Sequence, residues 1–233
     1  MEKLQRSFLK YFLRITSCKT ASADKMMNKA KGPVWHKRDK AKNRIPERLH
    51  GVDRDATWGV SNADGWVYGH GTFCLATHGI PILGLFYWMP NSADESKYMQ
   101  VEVTNYSGLL ARVCMDSKAD SQDIFYSLKE YFGIKLITSP KKKGKLLKPD
   151  RANMLKSILS PISKRIYKER SVIVEPMQSL IKDIFELDVC WMRGSSGNRW
   201  LFAAMGIAIQ IAQWNAYLEG RSTWAIKSDV LGV

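Results

Sequence analysis

Leu4, Phe8, Tyr11, Phe12 and Ile15 recur at spacings of three and four, which predicts an amphipathic helix at the start of the chain that needs a surface to pack against. From Lys25 to Arg54 periodic apolar positions are sparse and basic residues frequent, the pattern of an exposed loop or arm. Two β-rich stretches then flank His78-Gly79, Trp66 to Thr77 and Ile80 to Trp88. The glycine can supply the positive φ of a tight turn, so an antiparallel hairpin is expected. Leu109 to Met115 reads as a short buried strand that ends on Asp116. A helix follows from Ser121 to Phe132, with Ile124, Phe125, Leu128 and Phe132 on one face and Gly133 as its stop, and then a strand from Ile134 to Thr138. Beyond Pro140 and a lysine cluster, Met154 to Leu187 reads as helical with an interruption at Pro161, and a last helix runs from Trp200 to Leu218. Hairpin strands first, alternating strands and helices next and a helical C-terminal third indicate a mixed α/β domain.

Charge narrows the partners. Thirty-six Lys and Arg against 22 Asp and Glu give a formal charge of +14 over 233 residues, which points to a polyanion, with nucleic acid foremost. Ribosomal RNA or an anionic membrane surface would attract the same charge, so a basic RNA-associated or membrane-surface protein stays a rival reading. The four cysteines, Cys18, Cys74, Cys114 and Cys190, are far apart and form no CxxC pair, which argues for free thiols over a zinc site or a disulfide framework. Charges interleave with apolar residues at the N-terminus, unlike an export signal, and a cytoplasmic, nucleoid-associated location is expected. Leu201 to Leu218 carries Gln210, Gln213 and Asn215, so a buried helix is preferred there to a membrane span.

Several motifs, taken together, resemble the DDE transposases of prokaryotic insertion sequences. Lys29-Ala-Lys-Gly-Pro-Val-Trp-His-Lys37, Val52 to Ser61 and Gly65 to Gly69 resemble the segment after that family's first catalytic aspartate, which places Asp24 in that role. Pro90-Asn-Ser-Ala-Asp-Glu-Ser96 resembles the loop after the hairpin, and Asp116-Ser-Lys-Ala-Asp-Ser121 the segment opened by the second aspartate. Ile166-Tyr-Lys-Glu-Arg-Ser-Val-Ile-Val-Glu-Pro176, followed by Lys182, resembles the helical signature that holds a Tyr, an Arg, the third carboxylate Glu175 and a Lys. This copy departs from the pattern in having four residues between Arg170 and Glu175 where three are usual, and Lys25-Met26-Met27 where small hydroxyl residues are expected.

The resemblance implies a ribonuclease H-like fold, a mixed sheet flanked by helices with a helical C-terminal third. It implies metal-dependent DNA strand cleavage and strand transfer at insertion-sequence ends, with double-stranded DNA of the element ends and the target as partner. A homodimer on DNA is among the arrangements it allows, and no membrane is expected. The physical chemistry agrees: phosphodiester cleavage needs an activated attacking oxygen, a stabilised leaving oxygen and charge neutralisation, which two Mg2+ ions supply, with Mn2+ able to substitute. Magnesium takes oxygen ligands, so a few carboxylates from separate elements are the expected cage. Asp24, Asp116 and Glu175 are the expected catalytic and metal-binding residues. Tyr167, Arg170, Lys182, Lys141, Lys142 and Lys143 are the expected DNA contacts. The expected division is 1–23 as the remnant of an N-terminal helical region, 24–220 as the catalytic domain and 221–233 as a tail, in an N-terminally truncated reading frame. Asp53, Asp55 and Asp94 are expected to serve turns and caps. A remnant that binds DNA nonspecifically without cleaving it is the alternative within the same family.

Overall fold

The computed structural model describes residues 1–61, 65–141 and 149–232. In chain order the helices are α1 (Glu2–Ile15), α2 (Lys37–Ala41), α3 (Glu95–Thr104), α4 (Gln122–Phe132), α5 (Pro149–Ile158), α6 (Pro161–Arg170), α7 (Val174–Phe185), α8 (Ser195–Leu218) and α9 (Lys227–Leu231). The strands are β1 (Thr20–Lys29), β2 (Thr57–Ser61), β3 (Gly65–Thr77), β4 (Leu83–Pro90), β5 (Arg112–Cys114) and β6 (Lys135–Ile137). They form one mixed sheet in which β1 is central, antiparallel to β3 on one side and parallel to β5 on the other, with β6 parallel beyond β5. The far edge of β3 is shared end to end by β2 and β4, both antiparallel to it. With β2 only extending the edge of β3, antiparallel β4, β3 and β1 followed by parallel β5 and β6 form the mixed, ribonuclease H-like sheet expected from the sequence.

The hairpin forms where alternation and turn chemistry place it. Phe73 faces Tyr87 and Cys74 faces Phe86 across the ladder, and Gly79 takes φ 80° in the turn. The helix after Asp116 also matches its sequence signals, with Ser121 at its N-cap and Gly133 left-handed at its C-cap, φ 66°. Pro161 sits in the first turn of α6, where its missing N–H costs no hydrogen bond, so it starts a new helix after α5.

Two expectations need correction. The buried face of α1 is Gln5, Leu9, Phe12 and Leu13, whereas Leu4, Tyr11 and Ile15 are exposed. The face is rotated because α1 lies against β4 and α8, and Gln5 must reach the open edge of β4: its amide donates to Phe86 O and Ala203 O and accepts from Phe86 N. Gln213 accepts from Leu83 N and Gln210 donates to Gly84 O, so three glutamines complete the edge that no strand covers among the described residues. The stretch from Lys25 to Arg54 is not one exposed arm. Its first residues continue β1 to Lys29, and Trp35, with its indole N–H donating to Arg44 O, anchors a small cluster with Ala30, Ala56 and Tyr68.

α8 begins at Ser195, earlier than its apolar pattern suggests, and is long and apolar enough to cross a membrane by length and composition. Here it packs on β4, with Phe202, Ile209, Gln210 and Gln213 buried. Its start is held from a distance: Asp55 accepts from Ser195 N and Oγ, and Asp53 accepts from Gly194 N. Asp53 also meets His70 Nε2 at 2.8 Å, and His70 Nδ1 accepts from the Trp88 indole at 2.9 Å. That acceptance puts the ring proton on Nε2, so His70 donates to Asp53. Burial pushes the Asp53 carboxyl up, but the His70 and Gly194 hydrogen bonds outweigh it and hold it below its ordinary value. Replacing Asp53 by Ala strands the buried His70 Nε2–H and the half-buried Gly194 N–H and is expected to lower the unfolding free energy by roughly 2–4 kcal/mol, read by urea denaturation.

Candidate active site

Successive residues of β1 point to opposite faces of the sheet. Ala21 and Ala23 enter the core packed by α1, α3 and α4, while Met26 enters the core packed by α7 and α8. Ser22 and Asp24 share the Met26 side, and α6 and α7 bring the remaining polar groups to them. Arg170, the last residue of α6, pairs through Nη2 with Asp24 Oδ2 at 2.9 Å and through Nη1 with Glu175 Oε1 at 3.1 Å. One guanidinium thus joins the central strand to the first turn of α7, and its Nε, buried without a hydrogen-bond partner, marks a site in which polar groups outnumber their contacts.

Asp116 directly follows Met115 at the end of β5, and its Oδ1 accepts from Lys118 N, capping a 3-10 turn at Ser117–Ala119. β5 lies parallel beside β1, so this carboxylate reaches the neighbourhood of Asp24. The effect shows in Asp24: burial, opposed by Arg170 and the Lys25 N–H but reinforced by Glu95 and Asp116, pushes its carboxyl up to about 6. Arg170 thus joins Asp24 on the strand to Glu175 on the helix, and Asp116 at the strand end lies within electrostatic reach of Asp24.

The other expected residues are placed less uniformly. Tyr167, on α6, is half-buried against Cys114, Ile137 and Ile166, and burial raises its phenol above its ordinary value, with Arg170 opposing. Lys182 is half-buried on α7, two turns beyond Glu175 and on the same helical face. Lys141 is exposed; its N–H donates to Asp120 Oδ2 at 2.7 Å and its ammonium to Lys118 O at 3.2 Å. Lys142 and Lys143 lie outside the described residues.

Two groups beside the site were not singled out in the sequence. Glu95 opens α3 and is 1% exposed, with Lys118 at 2.8 Å and Lys25 at 3.3 Å. It lies directly after Asp94, whose carboxylate caps α3 by accepting from Ser96 N and Oγ, and the loop that resembles the family pattern was its one available signal. Ser22, His78 and Glu169 form a second chain of contacts: Ser22 Oγ to His78 Nε2 at 2.6 Å and His78 Nδ1 to Glu169 Oε2 at 3.1 Å. Burial holds the His78 imidazole below its usual pKa despite Glu169, so it is neutral and ties the end of β3 to α6.

The donor set suits a hard cation in its chemistry: every ligand candidate is a carboxylate oxygen, and burial disfavours the charged form of Asp24, which a bound cation would stabilise. Among the described residues no three His, Cys, Asp or Glu side chains stand as a ready cage, and the Arg170 guanidinium takes the position between Asp24 and Glu175. All four cysteines are buried and unpaired.

No protein-family model matches the chain, and no curated protein does. Among solved structures it is similar to a piggyBac transposase in a cryo-EM synaptic complex with hairpin DNA, with a TM-score of 0.52 at 10% sequence identity. The match covers 92% of this chain and 52% of that one, so the chain spans about half the length of the transposase it resembles. Such a likeness speaks of backbone alone, and on that ground the chain has a transposase-like α/β fold, a mixed sheet flanked by helices.

Proposed function

We propose that this chain is the catalytic domain of a DNA transposase of the DDE type, performing metal-dependent strand cleavage and strand transfer at the ends of an insertion sequence. The observation that carries the reading is the Arg170 bridge between Asp24 and Glu175, with Asp116 within electrostatic reach of Asp24, on a sheet whose backbone is similar to that of a transposase solved with DNA. Asp24 and Asp116 would hold divalent magnesium, with Glu175 completing the set once Arg170 turns from it to a phosphate. Bound there, magnesium supplies Lewis-acid activation of the attacking oxygen and neutralises charge on the phosphate.

The chain's own residues do the rest. Arg170 offers a planar pair of donors suited to a nonbridging phosphate oxygen, and Lys182 adds a point charge on the same face of α7 as Glu175. Lys141 and the lysines beyond it contribute salt-dependent, nonspecific affinity. Water is the first nucleophile and a freed 3′ hydroxyl the second. A cleavage-deficient remnant that only binds DNA is the second reading, favoured by the Arg170 bridge, which already neutralises two of the three acids.

Incubation of supercoiled plasmid with the protein separates the two. Nicked circles formed with Mg2+ or Mn2+ and absent with EDTA support the enzyme; DNA retention of equal strength under both conditions, with no nicking, supports the remnant.

A further inference from the structure

Glu95 is buried at the first residue of α3, where a carboxylate left alone would lose most of its hydration. Two lysines share it, one on each oxygen: Lys118 meets Oε1 at 2.8 Å and Lys25 meets Oε2 at 3.3 Å. Both lysines are chain neighbours of the acids at the site. Lys25 follows Asp24, and its backbone N–H donates to Asp24 Oδ1 at 2.9 Å. Lys118 lies two residues beyond Asp116, and its backbone N–H donates to Asp116 Oδ1 at 2.9 Å. One buried acid therefore holds the side chains of the two residues whose main chains hold Asp24 and Asp116.

The two lysines are constrained to different degrees. Alternation along β1 sends Lys25 to the face opposite Asp24. Its side chain is 6% exposed, and its ammonium also donates to Asn91 O and Ala93 O, contacts that keep it in place without Glu95. The Lys118 side chain is 50% exposed, and among the described residues Glu95 is the one carboxylate within ion-pair distance of it. A lysine ammonium rides on a flexible four-carbon stem, and this one starts from a 3-10 turn capped by Asp116. Burial lowers the pKa of the Lys118 ammonium, Glu95 outweighs burial, and Asp116 and Asp24 add to the rise, so both aspartates lie within electrostatic reach of the charge. Arg170 already pairs with Asp24. A second fixed cation on Asp116 would compete with a divalent ion for the same oxygens.

We infer that Glu95 is a positioning residue: it holds the Lys118 ammonium off Asp116 and Asp24, so that the two carboxylates stay open to a divalent cation. A carboxylate is required in this place, because a neutral amide competes poorly with two aspartates for an ammonium. The inference rests on the metal-dependent reading proposed above and adds to it the group that keeps the site from closing on its own lysine.

The electron paramagnetic resonance signal of free Mn2+, followed as the full chain is added, measures binding without turnover. Glu95→Gln is expected to bind Mn2+ at least about tenfold more weakly than the wild type. Glu95→Gln combined with Lys118→Met is expected to regain wild-type affinity, since the ammonium that Glu95 restrained is gone, and Lys118→Met alone should bind at least as tightly as the wild type. Circular dichroism confirms that each variant is folded. An ion pair that only ties α3 to its neighbours predicts a different order, with the double variant no better than Glu95→Gln. The double variant decides the matter even where the single one is unstable, because it removes both partners of one ion pair together. Wild-type affinity in Glu95→Gln, or a double variant that stays weak, overturns the inference and leaves the metal reading standing. A wild type that leaves the Mn2+ signal unchanged sinks both.

Discussion

Asp116→Asn is expected to reduce Mg2+-dependent plasmid nicking by at least about a hundredfold while leaving the fold intact. Removal of a group that merely orients a metal ligand already costs about 10–100-fold, and Asp116 is proposed as a ligand itself. Asparagine still accepts the Lys118 N–H, so the cap on the 3-10 turn survives and loss of activity cannot be put down to unfolding. Initial nicking rates of the two proteins, at matched thermal midpoints, provide the comparison. A variant with more than half of the wild-type rate would remove Asp116 from the chemistry.

Asp24→Asn is expected to do two opposite things. It should eliminate nicking as thoroughly as Asp116→Asn, and in EDTA it should make the protein more stable. The Asp24 carboxyl rises from 3.8 to about 6 on folding, so the folded state holds the proton more tightly than the unfolded one. Stability linked to this group is therefore full below about pH 4 and is lost as pH rises through about 6. A shift of that size corresponds to roughly 2–3 kcal/mol, and the neutral amide escapes it. Urea denaturation at pH 8 should show the variant more stable by about this amount, and at pH 4 the gain should vanish. An unchanged or lower stability at pH 8 would mean that Arg170 compensates Asp24 fully, leaving no surplus charge for a cation. Stability given up at a buried carboxylate is the expected signature of a site built for a partner that neutralises it.

How far the site could be foreseen depended on whether each feature was local. The β3–β4 hairpin, the helix between Ser121 and Gly133 and the break at Pro161 were legible, because alternation, a left-handed glycine and a proline at a helix start act within a few residues. The buried face of α1 was not, since Gln5 is buried by its bonds to Phe86 in a strand far along the chain. Nor did the polar sequence of β1 beyond Asp24 look like a central strand: Lys25 is buried there through Glu95, and Asn28 beneath the backbone of His70. Asp24, Asp116 and Arg170 came from motif resemblance, and the pairing of Arg170 with Asp24 depends on α6 packing against β5 and β6, which no periodicity reports. Glu95 needed that tertiary view most, because an acid at the first position of a helix reads as an ordinary dipole partner until two lysines from other elements are found on it.

Isothermal titration of Mn2+ into wild type, Asp24→Asn, Asp116→Asn and Glu175→Gln measures the sharing of a cation by these three side chains. Saturable binding by the wild type, weakened more than about tenfold in each variant, is the expected result. Binding that is the same in all four proteins, or absent from the wild type, would contradict a common metal site and leave a transposase-like fold that acts on DNA, if at all, by charge alone.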